Sequence, residues 1–151
     1  MKIKIAKTDS EILSCFEILQ QLRPHLKKED FISQIRRQER QGYKLVFIEE
    51  DKKVISVAGF RLTEKLSKGK FVFVDDLVTD KENRSKGYGE KLIQWIIELA
   101  KENNCNVFEL DSGVEKFDAH RFYLKHRMKI SCHHFSLNLG IKNKGLRENQ
   151  I

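Results

Sequence analysis

The residues whose types suggest chemistry are concentrated at the end of one strand-like run and the start of the helix that follows it. Residues 75–89 read DDLVTDKENRSKGYG. Gly87 and Gly89 stand at the predicted start of the helix, where free backbone N–H groups and the positive end of the helix dipole favour an anion. Glycine lets a phosphate approach the backbone closely, and Arg84 and Lys86 add positive charge beside it. This turn is therefore predicted to bind phosphate.

Two widespread phosphate-binding motifs do not match the turn. A P-loop requires the pattern GxxxxGK[ST], which the sequence lacks. The dinucleotide-binding fingerprint requires a third glycine, but position 92 is a leucine. The turn therefore belongs to neither class.

Two adjacent acids, Asp75 and Asp76, interrupt the otherwise apolar run FVFVDDLVT. Burial of unpaired carboxylates is costly, so the pair is expected to have a function. Successive residues of an extended strand point to opposite faces, which places Asp75 on the face of Phe73 and Asp76 on the face of Val74. Only one of the two acids can then readily face a given site.

Apolar periodicity places these residues in a series of strands and helices. Strands are predicted over residues 2–6, 43–49, 53–62, 70–79, 106–111 and 129–139, and helices over 9–22, 28–41, 87–103 and 115–126. Thr8 and Glu11 form a predicted capping box, and the short turn at 50–52 predicts a hairpin. Hairpins in the first half and strand–helix–strand passages in the second predict an α/β fold with one mixed sheet flanked by helices.

No feature of the sequence marks a boundary between domains. The chain has one proline, Pro24, and neither a repeat nor a low-complexity segment. A chain of this length can bury roughly two thirds of the surface that its unfolded form exposes, so it needs no disulfide or metal for stability. The prediction is a single domain over residues 1–141, followed by a polar tail over 142–151.

The glycine turn and a second segment resemble two motifs of one enzyme family. Residues 84–89, RSKGYG, resemble the (Q/R)xxGx(G/A) pyrophosphate loop of the GNAT family of N-acetyltransferases, which bind acetyl coenzyme A. The family places this loop between its fourth strand and third helix, and here it lies between 70–79 and 87–103. Residues 119–125, AHRFYLK, resemble most of a later motif, AxxFYxKxGF. Both motifs therefore stand in the order that the family requires.

The resemblance implies a fold and a set of coenzyme contacts. The implied fold has a central mixed, mostly antiparallel sheet that splays between its fourth and fifth strands. The implied coenzyme contacts are Leu77, Val78, Thr79, Arg84, Ser85, Lys86, Gly87, Tyr88, Gly89 and Lys116. Lys116 replaces an asparagine that often contacts the coenzyme, and it could reach a phosphate instead. Arg127 and Met128 stand where the family's second motif usually closes with glycine and phenylalanine.

Acetyl transfer to a primary amine needs a neutral nucleophile, a polarised thioester carbonyl and a proton for the departing thiolate. An amine with a pKa of about 10.4 is protonated at neutral pH, so a carboxylate must accept its proton. The resemblance favours Asp75 as this base, leaving Asp76 to hold a cationic substrate or to brace the fold. A backbone N–H near Leu77 is expected to stabilise the carbonyl oxygen. Tyr123 is the implied acid, because its pKa of about 10 exceeds that of a thiol, about 8.5.

Composition limits the possible partners and the expected location of the protein. With 29 Lys and Arg against 22 Asp and Glu, the chain carries a formal charge of +7, which suits a phosphorylated molecule, nucleic acid or an anionic membrane surface. No apolar run approaches the roughly 18 residues of a membrane span, so a membrane partner is not expected. Three widely spaced cysteines favour reduced thiols and a cytoplasmic location. Adjacent Cys132, His133 and His134 would face alternate sides of a strand, so no metal site is predicted.

The favoured interpretation is an acetyl-CoA-dependent N-acetyltransferase that acts by direct attack of a small amine or a protein amine. One alternative is a basic nucleic-acid-binding domain, although no recognition module is present. A second alternative keeps the fold as a non-catalytic acetyl-CoA sensor. The oligomeric state stays open between monomer and homodimer. Substrate choice in the family resides mainly in segments equivalent to residues 20–42 and 129–139.

Overall fold

Five strands, five α-helices and a short 3-10 helix at Lys81–Asn83 form the regular structure of residues 1–140, the part of the chain that the computed structural model describes. In chain order the strands and α-helices are β1 (Lys2–Ile5), α1 (Asp9–Ser14), α2 (Phe16–Leu22), α3 (Lys28–Glu39), β2 (Tyr43–Glu50), β3 (Lys53–Lys65), β4 (Gly69–Thr79), α4 (Tyr88–Glu102), β5 (Val107–Leu110) and α5 (Phe117–Lys125). Two compact units make up the chain, Met1–Glu109 and a second that begins at Leu110. The predicted tail over 142–151 lies outside the described residues.

The sheet has the strand order β1-β2-β3-β4-β5. The first three pairings are antiparallel and β4 pairs with β5 in parallel, which confirms the predicted mixed, mostly antiparallel sheet. β2 and β3 are joined by a two-residue turn in which Asp51 and Lys52 have φ angles of 48° and 63°. Positive φ at both positions is the conformation that matches the twist of paired strands. The predicted hairpin is therefore present.

Two layers of helices cover the sheet. On one face α1, α2 and α3 bury Ile12, Phe16 and Phe31 against Leu45 and Phe47 of β2. On the other face α4 packs against β2, β3 and β4, with the Trp95 ring 6.4 Å from that of Phe60. Successive side chains of a strand point to opposite faces of the sheet, so apolar side chains of the strands pack against both helix layers. Both faces of the central strands are therefore buried.

The first predicted helix is divided in two. Its capping box is confirmed, because Thr8 Oγ1 accepts from the Glu11 N–H at 3.2 Å and Glu11 Oε2 accepts from the Thr8 N–H at 3.2 Å. The helix ends at Ser14, and α2 begins at Phe16. Cys15 lies at the junction, fully buried, and burial raises the pKa of its thiol to about 12. This cysteine is therefore a core residue.

β4 contains a bulge at Asp75. In the β3–β4 register Gly59 lies opposite Asp76 and Phe60 lies opposite Val74, which leaves Asp75 without a partner in β3. An extra residue shifts the alternation of the strand by one position. Asp76 therefore lies on the face of Phe73, and its predicted place on the face of Val74 is wrong.

The second unit contains the helix α5 and, after it, a segment without regular secondary structure. The predicted strand over residues 129–139 is wrong, since these residues form neither helix nor strand. A strand requires backbone partners, and none of these residues pairs in a ladder with residues 1–140. The apolar side chains of Ile130, Phe135 and Leu137 consequently stay exposed. In the described part of the chain, no helix has the length and apolar character to cross a membrane.

Candidate active site

Asp76 is held by two side chains from different elements. Its Oδ1 accepts from Arg23 Nε at 3.0 Å, and its Oδ2 accepts from the hydroxyl of Tyr43 at 3.0 Å. Arg23 directly follows α2, whereas Tyr43 begins β2. Tyr43 is buried, and this burial together with the two aspartates raises the pKa of its phenol well above the usual value. The tyrosine is therefore a neutral donor that fixes the carboxylate.

Gly59 of β3 makes room for this contact. A Cβ at position 59 would lie 1.8 Å from the Tyr43 hydroxyl oxygen and 2.3 Å from the ring carbon that bears it. The Tyr43 ring therefore crosses the β3 backbone at the glycine to reach Asp76. A glycine inside a strand often marks such a close approach.

Asp75 has a hydrogen-bond partner at only one of its two carboxylate oxygens among the described residues. Its Oδ2 accepts from Arg61 Nε at 2.9 Å, and its main-chain carbonyl accepts from Arg23 Nη2 at 3.2 Å. Its Oδ1 has no hydrogen-bond partner among residues 1–140. Burial raises the pKa of Asp75, and the hydrogen bond from Arg61 lowers it; burial is the larger effect. A half-buried carboxylate with one oxygen available and a raised pKa has the properties of a general base.

The two acids therefore differ in what they can do. Both oxygens of Asp76 are engaged by protein groups, which suits a bracing role. Asp75 keeps one oxygen for a water molecule or a ligand. Two further acids that could have added negative charge have other partners, since Glu49 pairs with Lys4 and Glu50 accepts from the Tyr88 hydroxyl.

The predicted phosphate turn leads from β4 into α4. Gly87, the N-cap residue of α4, has a φ of +82° and carries no side chain that could cap the helix. A Cβ at Gly87 would meet no atom within 4 Å, so its surroundings are open. Arg84, Ser85 and Lys86 are exposed. A helix start, open space and two nearby cations fit a pyrophosphate group.

Hydrogen bonds hold the turn in place. Asn83 Nδ2 donates to Asp80 Oδ2 at 2.9 Å, and Lys86 Nζ donates to Asn83 Oδ1 at 2.9 Å. Gln21 of α2 bonds both Asp80 Oδ1 and the Lys81 N–H, at 2.8 and 3.0 Å. The bond from Gln21 is the main cause of a lowered pKa at Asp80. The turn is thus anchored to α2, the helix that Arg23 directly follows.

Tyr123 and Lys116 belong to the second unit. Tyr123 lies in α5, and burial raises the pKa of its phenol. Its hydroxyl has no hydrogen-bond partner among the described residues. Lys116 directly precedes α5, is exposed, and lies 3.8 Å from a Glu115 carboxylate oxygen. The second unit thus presents a protonated phenol and an exposed cation.

The sequence alone did not identify three residues of the first unit: Tyr43, Arg23 and Arg61. Gly59 was the available signal for Tyr43, because a glycine within the apolar run of β3 indicates a close approach. No local pattern distinguishes Arg23 and Arg61 from other surface arginines. In residues 1–140, no group of three or more His, Cys, Asp or Glu side chains could hold a metal ion.

Comparison with known proteins finds similar sequences and structures. The chain is 28% identical over 122 residues to YhdJ of Bacillus subtilis (strain 168), described as an uncharacterised N-acetyltransferase, covering 80% of this chain and 86% of that protein. A transcriptional regulator from Bacillus halodurans C-125 has a similar structure, with a TM-score of 0.79, 22% identity, and coverage of 91% of this chain and 98% of that one.

A glucosamine-6-phosphate N-acetyltransferase from Arabidopsis thaliana is similar as well, with a TM-score of 0.70, 23% identity, and coverage of 92% of this chain and 99% of that one. At these identities the two structures establish the fold alone. The family model described as Acetyltransferase (GNAT) family matches residues 9–127, which is more than half of the chain. The chain belongs to the GNAT family of acetyltransferases.

Proposed function

We propose that the protein transfers the acetyl group of acetyl-CoA to a primary amine by direct attack of the amine. The observation that carries the proposal is Asp75, a carboxylate at a bulge of β4 with one oxygen free, on the strand that leads into the turn proposed to bind an anion. A proton acceptor and a pyrophosphate site are the two parts that such a reaction requires of the first unit.

The turn at 84–89 is proposed to hold the coenzyme. Backbone N–H groups at the start of α4 bind the pyrophosphate, while Arg84 and Lys86 balance its charge. Backbone groups of Leu77, Val78 and Thr79 bind the arm that carries the thioester, with the Leu77 N–H directed to the carbonyl oxygen. Lys116 is the proposed partner for a further phosphate. Acetyl-CoA supplies the thioester.

Asp75 and Tyr123 are proposed to move the two protons. Asp75 Oδ1 accepts the proton of the amine, directly or through one water molecule, which leaves nitrogen with a lone pair for attack on the carbonyl carbon. The bond from carbon to sulfur then breaks, and Tyr123 donates its proton to the thiolate. The nitrogen loses its second proton as it becomes an amide, and that proton restores the phenol through solvent. The raised pKa of the Tyr123 phenol keeps this donor protonated at neutral pH. Asp76, fixed by Tyr43 and Arg23, braces the strand.

The name of the Arabidopsis relative indicates an amino sugar phosphate as the acceptor of that protein. For this chain the proposed acceptor is a primary amine, on a small molecule or on a protein.

The proposal is tested by coenzyme binding and by turnover. We expect calorimetry to detect acetyl-CoA binding, and we expect thiol release with an amine panel to accompany the mass gain of one acetyl group. The residue pair Gly87 and Gly42 offers a matched control, since both have positive φ, at +82° and +88°, and a Cβ added at either would meet no atom within 4 Å. Gly87→Val should lose coenzyme affinity, whereas Gly42→Val should suffer similar backbone strain and still bind.

Two results would overturn the proposal. Equal coenzyme affinity in the two glycine variants would refute the placement of the pyrophosphate. Absence of coenzyme binding, together with salt-dependent binding of DNA or RNA, would favour the nucleic-acid alternative.

A further inference from the structure

Two arginines neutralise the two acids of the candidate site. Arg23 bonds Asp76 Oδ1 and the Asp75 carbonyl, while Arg61 bonds Asp75 Oδ2 and the Gln41 carbonyl, at distances of 2.9 to 3.2 Å. The formal charges of these four side chains cancel. The site therefore offers no net negative charge to attract a polycation.

Both arginines also keep donors for a ligand. A guanidinium has five N–H donors, and each arginine uses only two of its three nitrogens here. Arg23 Nη1 and Arg61 Nη2 have no partner among residues 1–140. The side chain of Arg23 is 41% exposed and that of Arg61 is 24% exposed, so solvent reaches both. Free guanidinium nitrogens next to a candidate base are suited to bind an oxyanion.

The two arginines come from different parts of the chain. Arg23 directly follows α2 and precedes α3, which begins at Lys28. Arg61 lies on β3 in the position opposite Tyr43 of β2. Its guanidinium carbon is 5.5 Å from the centroid of the Tyr43 ring. The same tyrosine thus contacts one acid and stacks against one arginine.

We infer that the acceptor is a primary amine that also carries an anionic oxygen group, a carboxylate or a phosphate, which Arg23 and Arg61 bind through their free nitrogens. This inference rests on the proposed function and specifies its substrate class. Asp75 Oδ1 accepts the amine proton, while the anionic group of the same molecule offsets the charge of the arginines. Because both acids are already paired with arginines, a polyamine is not the expected acceptor.

Matched amines test the inference by kinetics. We expect kcat/KM to be at least about tenfold higher for phosphoethanolamine than for ethanolamine, and likewise for β-alanine than for spermidine. A factor of about ten is what one charge-assisted hydrogen bond supplies. Arg23→Gln and Arg61→Gln should each reduce these ratios toward one. The ratio is informative because a variant that disturbs Asp75 or Asp76 lowers the rates for both amines alike and leaves their ratio unchanged. Arg37→Gln is the control, since Arg37 is exposed on α3 and bonds Ser33 Oγ of the same helix, at 3.4 Å.

Equal rates for anionic and neutral amines, or faster turnover of spermidine, would overturn the inference and leave acetyl transfer established. If phosphoethanolamine is favoured over β-alanine, the anionic group is a phosphate, and the reverse order identifies a carboxylate.

A binding measurement separates this inference from the proposed function. In NMR spectra of ¹⁵N-arginine-labelled protein, phosphoethanolamine or β-alanine should shift the Nε–Hε signals of Arg23 and Arg61, and ethanolamine should not. Such shifts without turnover of any amine would support the anion site and contradict the proposed reaction. Absence of shifts with either anionic amine would overturn the inference even in an active enzyme.

Discussion

The hydroxyl of Tyr43 lies 3.0 Å from Asp76 Oδ2, and the tyrosine ring reaches this carboxylate by crossing β3 at Gly59. Three neighbouring strands thus contribute one residue each to a single contact. The contact lies beside the bulge that presents Asp75. The integrity of this contact should therefore affect both the stability of the sheet and the position of Asp75, the proposed base.

Tyr43→Phe should destabilise the protein by about 1 to 3 kcal/mol. The substitution removes a buried hydrogen bond to a carboxylate and leaves one oxygen of Asp76 without a partner. Urea unfolding measures the change. Tyr88→Phe is the matched control, because Tyr88 also donates to a carboxylate, that of Glu50, but in a site that solvent reaches. The control should cost distinctly less stability, and equal costs would contradict the buried contact.

Gly59→Ala should also destabilise, by about 1 to 3 kcal/mol, because the new methyl group would overlap the Tyr43 ring. Gly113→Ala is the comparison, since its Cβ would meet only the flexible carboxylate end of Glu115. In a double-mutant cycle, Tyr43→Leu should reduce the cost of Gly59→Ala. Additive costs would show that the two positions do not compete for space.

The acid limb of the pH–rate profile should report Asp75. A base must be ionised, so the rate falls as the pH drops through its pKa, and burial places that pKa above the ordinary aspartate value. The hydrogen bond from Arg61 lowers this pKa, so Arg61→Gln should move the limb to higher pH. Both proteins should be measured with ethanolamine, so that ionisation of the amine contributes equally to the two pH–rate profiles. A limb that stays in place would exclude Asp75 as the titrating base.

Tyr123→Phe should lower kcat by about 10² to 10⁴, the usual contribution of a general acid, with little change in acetyl-CoA affinity. Thermal unfolding should be nearly unaffected, because the hydroxyl bonds no described residue. The native enzyme should stay active to high pH, since an acid must be protonated and burial raises this pKa. An unchanged kcat would remove Tyr123 from the mechanism.

Local signals in the sequence predicted most of the fold. The capping box at Thr8, the two-residue turn at Asp51 and the glycine before α4 are set by interactions within a few residues, so their patterns are readable. The strand predicted over 129–139 was wrong because its alternation describes a side-chain pattern and carries no information about a backbone partner. The sequence located the phosphate turn and the acid pair, and their roles stay predictions.

The geometry around the acids depended on contacts that no local pattern contains. Regular alternation put Asp76 on the wrong face, because a bulge is decided by the register between β3 and β4. Arg23 is separated from Asp76 by 53 positions, and Tyr43 by 33. The partners that neutralise the acids and fix one of them were accordingly invisible before the fold was known.

The bulge makes Asp75 a surplus residue. On either side of it, Val74 and Asp76 face Phe60 and Gly59, which are themselves adjacent, so a chain shortened by this one amino acid would run as an unbroken ladder with every other pairing retained. A single in-frame triplet thus separates a scaffold with the proposed proton acceptor from one without it. We expect its loss to leave a folded protein that binds the proposed acetyl donor without transferring the acetyl group.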